Sequence, residues 1–263
     1  MFSPLSCVDA FTDRPYSGNP AGVCLLETPR PRDWMQQVAA EMNLAETAFV
    51  ERQGDAFGLR WFTPQTEVDL CGHATLAAAH VLWTDGVVPS AEAITFHTRS
   101  GALQATSRGA WIDLDFPAEP AEASRAPAGL LEALGIASVW TGRNRMDYLV
   151  QVSSEQELRR ITPDFRALAG VECRGVIVTC RSDSPEFDFV SRFFAPRVGI
   201  NEDPVTGSAH CCLAPFWANR LGKSRLAAFQ ASARGGVVHA ELRGDRVQLS
   251  GQAVTVHRGV LLR

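Results

Sequence analysis

The chain of 263 residues is 46% hydrophobic and 21% charged, with a net charge of −4 and a pI near 5.9. These fractions exclude long disorder, and the length allows one large domain or two of roughly 130 residues. The acidic balance leaves no basic stripe for nucleic acid and no polybasic anchor for a membrane surface.

Short runs of branched and aromatic residues dominate the first half. They predict strands over residues 5–11, 21–26, 47–51, 59–62, 94–98, 103–107 and 111–116. Two helices stand among them. Residues 33–43 set Trp34, Val38 and Met42 at near-helical spacing, and residues 72–83 read GHATLAAAHVLW. The second helix is apolar nearly all round, so it is expected to be buried. A breaker-rich stretch, Phe116-Pro117-Ala118-Glu119-Pro120 and on to Gly129, marks a domain boundary. Beyond it, strands are predicted over 148–152, 175–180, 187–194, 237–242 and 247–251, with a second apolar helix inside 201–221. The expected domains are residues 1–117 and 125–253, with a terminal strand over 254–263 free to return to the first.

The second half repeats the first. Arg60-Trp61-Phe62-Thr63-Pro64 resembles Arg192-Phe193-Phe194-Ala195-Pro196 at an offset of 132 residues. Gly72-His73-Ala74 and Gly207-Ser208-Ala209 each open an apolar helix, and Arg99-Ser100-Gly101 and Arg234-Gly235-Gly236 each precede a strand, both at an offset of 135. Solenoid repeats are about 20–50 residues long, so this period implies two similar domains facing each other across a cleft.

Each half thus delivers a loop, a glycine and a helix N-terminus. Such a terminus exposes unpaired N–H groups and a partial positive charge. Two of them could hold a carboxylate without an arginine, and Gly72 and Gly207 would let the backbone come close. Most helix starts are merely capped, so neighbouring acid/base groups matter. Asp69, Cys71 and His73 flank the first start; Glu202 and Asp203 precede the second. Glu46, between a helix end and an apolar strand, is either a solvated loop acid or a partly buried one with a raised pKa.

Other chemistries fit poorly. Ser208 with Asp203 and His210 lacks the G-x-S-x-G of a nucleophile elbow. Cys71, His73, His210, Cys211 and Cys212 do not have metal-ligand spacing, so no metal is expected and Cys211 and Cys212 read as core. Gly222-Lys223-Ser224 puts Trp217 where a P-loop needs its first glycine, so no nucleotide is expected. Trp61, Phe62, Phe193 and Phe194 read as packing rather than pocket. Seven cysteines with no CxxC pair, and a start (Met1-Phe2-Ser3-Pro4-Leu5) without leader character, point to free thiols in a cytoplasmic protein. The uncharged run 74–83 is shorter than the roughly 20 residues of a membrane span.

Several blocks, in order, resemble the PhzF family of phenazine-biosynthesis-type isomerases. They are Asp9-Ala10-Phe11-Thr12 with Ser17-Gly18-Asn19-Pro20-Ala21, Leu44 to Phe49, Arg60 to Pro64, Cys71 to Thr75 and Glu202 to Ala209. The resemblance implies an α+β fold like diaminopimelate epimerase: two similar domains, each a mostly antiparallel sheet rolled around a central helix, with the site in the cleft. It implies a cofactor-independent isomerase that moves a proton within a small carboxylate-bearing, amino- or hydroxy-substituted substrate. Glu46 matches the catalytic acid/base, and His73 and Asp203 match the residues that orient the substrate and support proton transfer. Gly72, Ala74, Gly207 and Ser208 match helix-start positions that bind the substrate, with Asn19 beside them. A homodimer is the expectation carried with the family.

One block departs. Cys71 precedes Gly72-His73, as in the proline-racemase branch of the same fold, whose bases are paired cysteines. The partner position here is Thr206, which argues against a two-thiol racemase. A racemase, epimerase or dehydratase using Cys71 alone stays as an alternative, as does a ligand-binding or interaction protein without turnover. Cys71 is otherwise expected to be a small packing residue. His73, at a helix N-terminus, is expected to favour the neutral form.

Overall fold

A computed structural model describes residues 3–262. Met1 and Phe2, and Arg263 at the end of the expected terminal strand, lie outside the described residues. The chain divides into two compact units. One runs to Phe116 and resumes at Gln248; the other is Pro117–Val247. The divisions expected from the sequence lay at residues 117–125 and 253.

The first unit is built in the order β1 (Ser3–Ala10), β2 (Asn19–Leu26), α1 (Arg32–Met42), β3 (Glu46–Gln53), β4 (Ala56–Phe62), β5 (Glu67–Val68), α2 (Gly72–Thr84), β6 (Ile94–Thr98), β7 (Gly101–Arg108) and β8 (Trp111–Pro117). The main ladder runs β1, β2, β3, β4, β6, β7, β8, antiparallel except where β2 meets β3 and β4 meets β6. Helix α2 is rich in alanine, which lets it lie close against β1, β2 and β3; Ala74 through Ala79 are all buried. Helix α1 covers the opposite face. Its Met35 and Ala39 join Leu5, Cys24, Leu26, Phe49 and Phe62, with Trp34, Val38 and Met42 partly buried at the edge.

The second unit follows the same plan with β9 (Glu122–Ala123), α3 (Leu130–Leu134), β10 (Trp140–Arg143), β11 (Asp147–Gln151), α4 (Glu155–Arg160), α5 (Phe165–Ala169), β12 (Gly175–Arg181), β13 (Phe189–Phe194), α6 (Gly207–Leu221), β14 (Arg225–Gln230) and β15 (Gly236–Arg243). Its ladder β10, β11, β12, β13, β14, β15 alternates in the same way, with parallel pairs only at β11–β12 and β13–β14. Helix α6 is the buried counterpart of α2, and its Trp217 stacks on Phe189 at 5.7 Å. Pro215 sits inside α6 and supplies no N–H to the preceding turn. The freed carbonyl of Cys211 accepts from the Glu119 N–H at 3.0 Å instead. Cys211 and Cys212 are core residues, as expected.

Strand β16 (Arg246–Gly251) spans the second division of the chain, and β17 (Ala253–Leu261) pairs antiparallel with β1. Each half is therefore a mostly antiparallel sheet around a central helix, the α+β architecture the resemblance implied. Helices α3, α4 and α5 and strands β5, β9, β10 and β14 were not anticipated from the sequence. Among the described residues no helix is long and apolar enough to cross a membrane.

Candidate active site

Two strand starts and one helix start carry the candidate residues of the first unit. Helix α1 ends on Asn43 in the left-handed conformation, φ 50°. That turn sends the chain back into β3, whose first residue is Glu46. Because β2 and β3 are parallel and Ala21 is opposite Glu46, Asn19 at the start of β2 lies at the same end. Gly18, φ 65°, allows this approach: a Cβ there would collide with the carbonyl oxygen of Ala10. The Asp9 carboxylate fixes the same loop by accepting from the Tyr16 N–H at 2.6 Å.

Helix α2 begins at this end. Cys71 is its N-cap in extended conformation, φ −146°. That geometry turns the thiol back over the first turn, so residues two apart meet. Cys71 Sγ lies 3.5 Å from His73 Nδ1 and 4.0 Å from Nε2. His73 Nε2 lies 3.1 Å from Glu46 Oε2, with the side chains only 5% and 12% exposed. The Asn19 amide nitrogen lies 3.2 Å from His73 Nδ1. Glu46 is thus no solvated loop acid. Gly72 opens the helix and Ala74 is fully buried behind it.

Burial opposes a charged imidazole, but the Cys71 sulfur and the Glu46 carboxylate more than offset it and hold the His73 pKa well above its usual value. The expected neutral bias of His73 is therefore corrected. The helix dipole acts on the ring from one side, while a carboxylate at hydrogen-bond distance acts more strongly from the other. The Cys71 pKa is raised as well, which favours the uncharged thiol. Burial, with Glu46 adding to it, pushes its thiol up to about 11, against the pull of His73 and the Ala74 N–H.

The second unit repeats the frame without counterparts of Glu46, Cys71 and His73. Register equates Thr47 opposite Phe62 with Val176 opposite Phe194, so the counterpart of Glu46 is Gly175. The offset of 135 equates Cys71 with Thr206 and His73 with Ser208. Thr206 caps α6, and its hydroxyl donates to the Asp203 carboxylate at 2.5 Å. Gln230 locks this loop, accepting from the Thr206 N–H at 2.9 Å and donating to the Asp203 carbonyl at 2.7 Å. Asp203 and Gly207 are buried, and Ser208 is half-buried on the first turn. Both helix starts carry a side chain that returns to the N-cap carbonyl: Thr75 to Cys71 at 2.6 Å, His210 to Thr206 at 2.8 Å.

The loops before both starts are held by one duplicated ion pair. Arg60 grips Glu67 through a two-pronged contact of 2.7 and 2.9 Å, and Arg192 grips Glu202 at the same two distances. Each guanidinium also lies over a phenylalanine ring two residues on, Phe62 or Phe194.

The structure thus gathers Glu46, His73 and Asn19, adds Cys71, and sets Gly72 and Ala74 beside them. Asp203, Gly207 and Ser208 lie together on the second unit. Sequence reasoning missed Gln230, whose type and spacing carry no motif. The ligand atoms of Glu46, Cys71 and His73 all lie within 4.8 Å of one another, so these three could hold a metal ion.

The family model for phenazine biosynthesis-like protein matches residues 8–259. An uncharacterized isomerase of Halalkalibacterium halodurans is 54% identical over 263 residues, covering all of this chain and 99% of that protein. The crystal structure of a PhzF family phenazine biosynthesis protein from Enterococcus faecalis matches with a TM-score of 0.96 at 42% identity, covering both chains completely. A hydroxyproline epimerase from Agrobacterium vitis shares the fold, with a TM-score of 0.63 at 12% identity over 99% of this chain and 92% of that one.

Proposed function

The chain belongs to the phenazine biosynthesis-like (PhzF) family, and from that premise we propose that it is a cofactor-independent isomerase. It moves a proton within a small carboxylate-bearing substrate substituted with an amino or hydroxyl group. Glu46 takes the proton from one carbon and returns it to another. The observation that carries this reading is the 3.1 Å contact between Glu46 and His73 in a nearly buried setting. A carboxylate so paired can act as base and then as acid, while His73 steadies whichever form Glu46 holds. The one-sidedness of the set supports the same reading, since Gly175, Thr206 and Ser208 offer no second base.

The roles of Asp203 in orienting the substrate, and of Gly72, Ala74, Gly207, Ser208 and Asn19 in binding it, rest on the family resemblance. So does the homodimer, while the cytoplasmic setting rests on the cysteine usage and the N-terminal sequence. A second reading has Cys71 as the base, and its 3.5 Å approach to His73 favours it. Burial that lifts the thiol to about 11 weighs against it, because the thiolate is the reactive form.

The test is incubation of the protein in D₂O with candidate amino and hydroxy acids, followed by NMR. Deuterium gain at carbon that depends on Glu46 is expected. Turnover that survives Glu46→Gln unchanged would overturn the assignment, and saturable binding with no exchange would favour a binding protein.

A further inference from the structure

We propose that Gln230 is a positioning residue: it fixes the Thr206 hydroxyl proton on the Asp203 carboxylate, and so keeps that carboxylate an ionised acceptor of set direction for the amino or hydroxyl group of the substrate. The step to the substrate rests on the isomerase reading. The chain of hydrogen bonds, which lies wholly within the second unit, does not.

Gln230 is fully buried on β14, so each of its polar atoms needs a partner. The Thr206 N–H can only donate, so the Gln230 atom facing it at 2.9 Å is the amide oxygen. The amide nitrogen then faces two acceptors, the Asp203 carbonyl at 2.7 Å and Thr206 Oγ1 at 3.1 Å. Because Oγ1 accepts from the amide, its own proton is left for Asp203 Oδ2, 2.5 Å away. The Thr206 carbonyl accepts from His210 Nδ1 at 2.8 Å. Every polar group of Thr206 is thereby held, and the hydroxyl has one direction in which to donate. A hydroxyl that donates to a carboxylate favours its charged form.

The duplicated frame does not itself require this amide. Gly58 opposite His97 and Val190 opposite Phe229 are equivalent pairs at the offset of 132, so the counterpart of Gln230 is Thr98. Thr98 spends its hydroxyl on its own hairpin, donating to the Gly101 carbonyl at 2.7 Å. The loop before each central helix is tied by a different contact, present in both units. Ser100 donates to the Asp69 carbonyl and Ser232 to the Pro204 carbonyl, both at 2.8 Å. Gln230 is therefore an addition made in the unit that carries Asp203, at the residue that directs the Thr206 hydroxyl.

The test is a carbon-13 NMR titration of the Asp203 carboxyl in the whole chain, assigned with Asp203→Asn. Gln230→Met keeps the length of the side chain and removes its hydrogen bonds. Asp203 should then titrate at higher pH than in the parent, as it should in Thr206→Val, whereas Thr206→Ser should restore the parent curve. Adding Gln230→Met to Thr206→Val should shift the curve no further, because the amide acts through the hydroxyl. A parent-like curve in Gln230→Met, or a further shift in the double variant, overturns the proposal. If Gln230→Met does not fold, proton NMR of the parent decides. A downfield Thr206 hydroxyl proton with cross-relaxation to the Gln230 amide protons supports the chain, and its absence overturns it. On a substrate that the parent turns over, Gln230→Met should lower kcat roughly tenfold to a hundredfold with KM little changed. A loss confined to KM would sink the positioning role. The titration uses no substrate, so it can fail while the isomerase reading stands, and the reverse.

Discussion

Nε2 of His73 sits 3.1 Å from Oε2 of Glu46, joining the first turn of α2 to the first residue of β3. The Glu46 carboxylate is, with the Cys71 sulfur, one of the groups that hold the His73 pKa above its usual value against the pull of burial.

Removing the carboxylate is expected to silence the enzyme and keep the fold. Glu46→Gln preserves volume and hydrogen bonding but cannot carry the proton. General acid–base groups contribute roughly 10²–10⁴-fold, so solvent exchange into substrate should fall by at least about a hundredfold. Circular dichroism and the thermal midpoint should stay near those of the parent. The same variant should bring the His73 pKa down, read by NMR of the imidazole, because one of the charges that raises it is gone.

The Cys71 thiol is expected to be dispensable for proton transfer. Cys71→Ser should retain exchange within roughly tenfold of the parent, whereas the thiol-base reading demands a loss on the scale of Glu46→Gln. Alkylation by iodoacetamide should be slow at neutral pH, since burial lifts this thiol to about 11.

His73 gives stability a dependence on pH with a definite sign. Its folded pKa is raised, so its contribution is complete below the unfolded value of about 6.5 and is lost as pH rises through the folded value. Urea midpoints measured from neutral to alkaline pH should fall more for the parent than for His73→Gln. Parallel profiles would show that the imidazolium is not favoured in the folded state.

His210 works in the other direction. Burial holds its pKa at about 4, and the Thr206 carbonyl that accepts from Nδ1 only partly offsets this. Below about pH 6.5 the unfolded chain takes up a proton that the folded chain refuses, and stability drains until about pH 4. The loss can reach about 3 kcal/mol. His210→Gln should flatten this acid limb, checked by denaturation between pH 7 and the acid end.

Glu67 is the anchor of the loop that leads to α2. Its side chain is 1% exposed and takes Arg60, Arg32 and Arg99, which together hold its carboxyl below the usual range although burial pushes the other way. Glu67→Gln leaves three guanidiniums facing one another. The cost should be about 2 kcal/mol, below the roughly 3–5 of a fully buried pair because Arg32 and Arg99 are half exposed. A lowered thermal midpoint, reversed in part by high salt, is the readout.

Much of this was legible in the sequence. The alanine run after Gly72 and the repeated Arg-aromatic-Phe-x-Pro block gave the central helices and the duplication. Helix α4 was missed although Ser154 and Glu157 form its N-terminal cap, because only six residues follow. Strand β14 was missed because buried Gln230 breaks the apolar alternation, and its burial makes sense only once the amide meets Thr206 and Asp203. The Cys71–His73 contact was hidden for another reason. Neighbours two apart on a helix do not face each other, and only the extended N-cap brings them together.

Gly175 stands where duplication would put a second Glu46, and that fixes a stereochemical consequence. A lone carboxylate addresses one face of a planar carbanion. In the proposed reaction the proton that Glu46 lifts should come down again on the same face, which makes the rearrangement suprafacial. If Glu46 alone carries the proton, a mirror-image substrate should pass through the enzyme unlabelled.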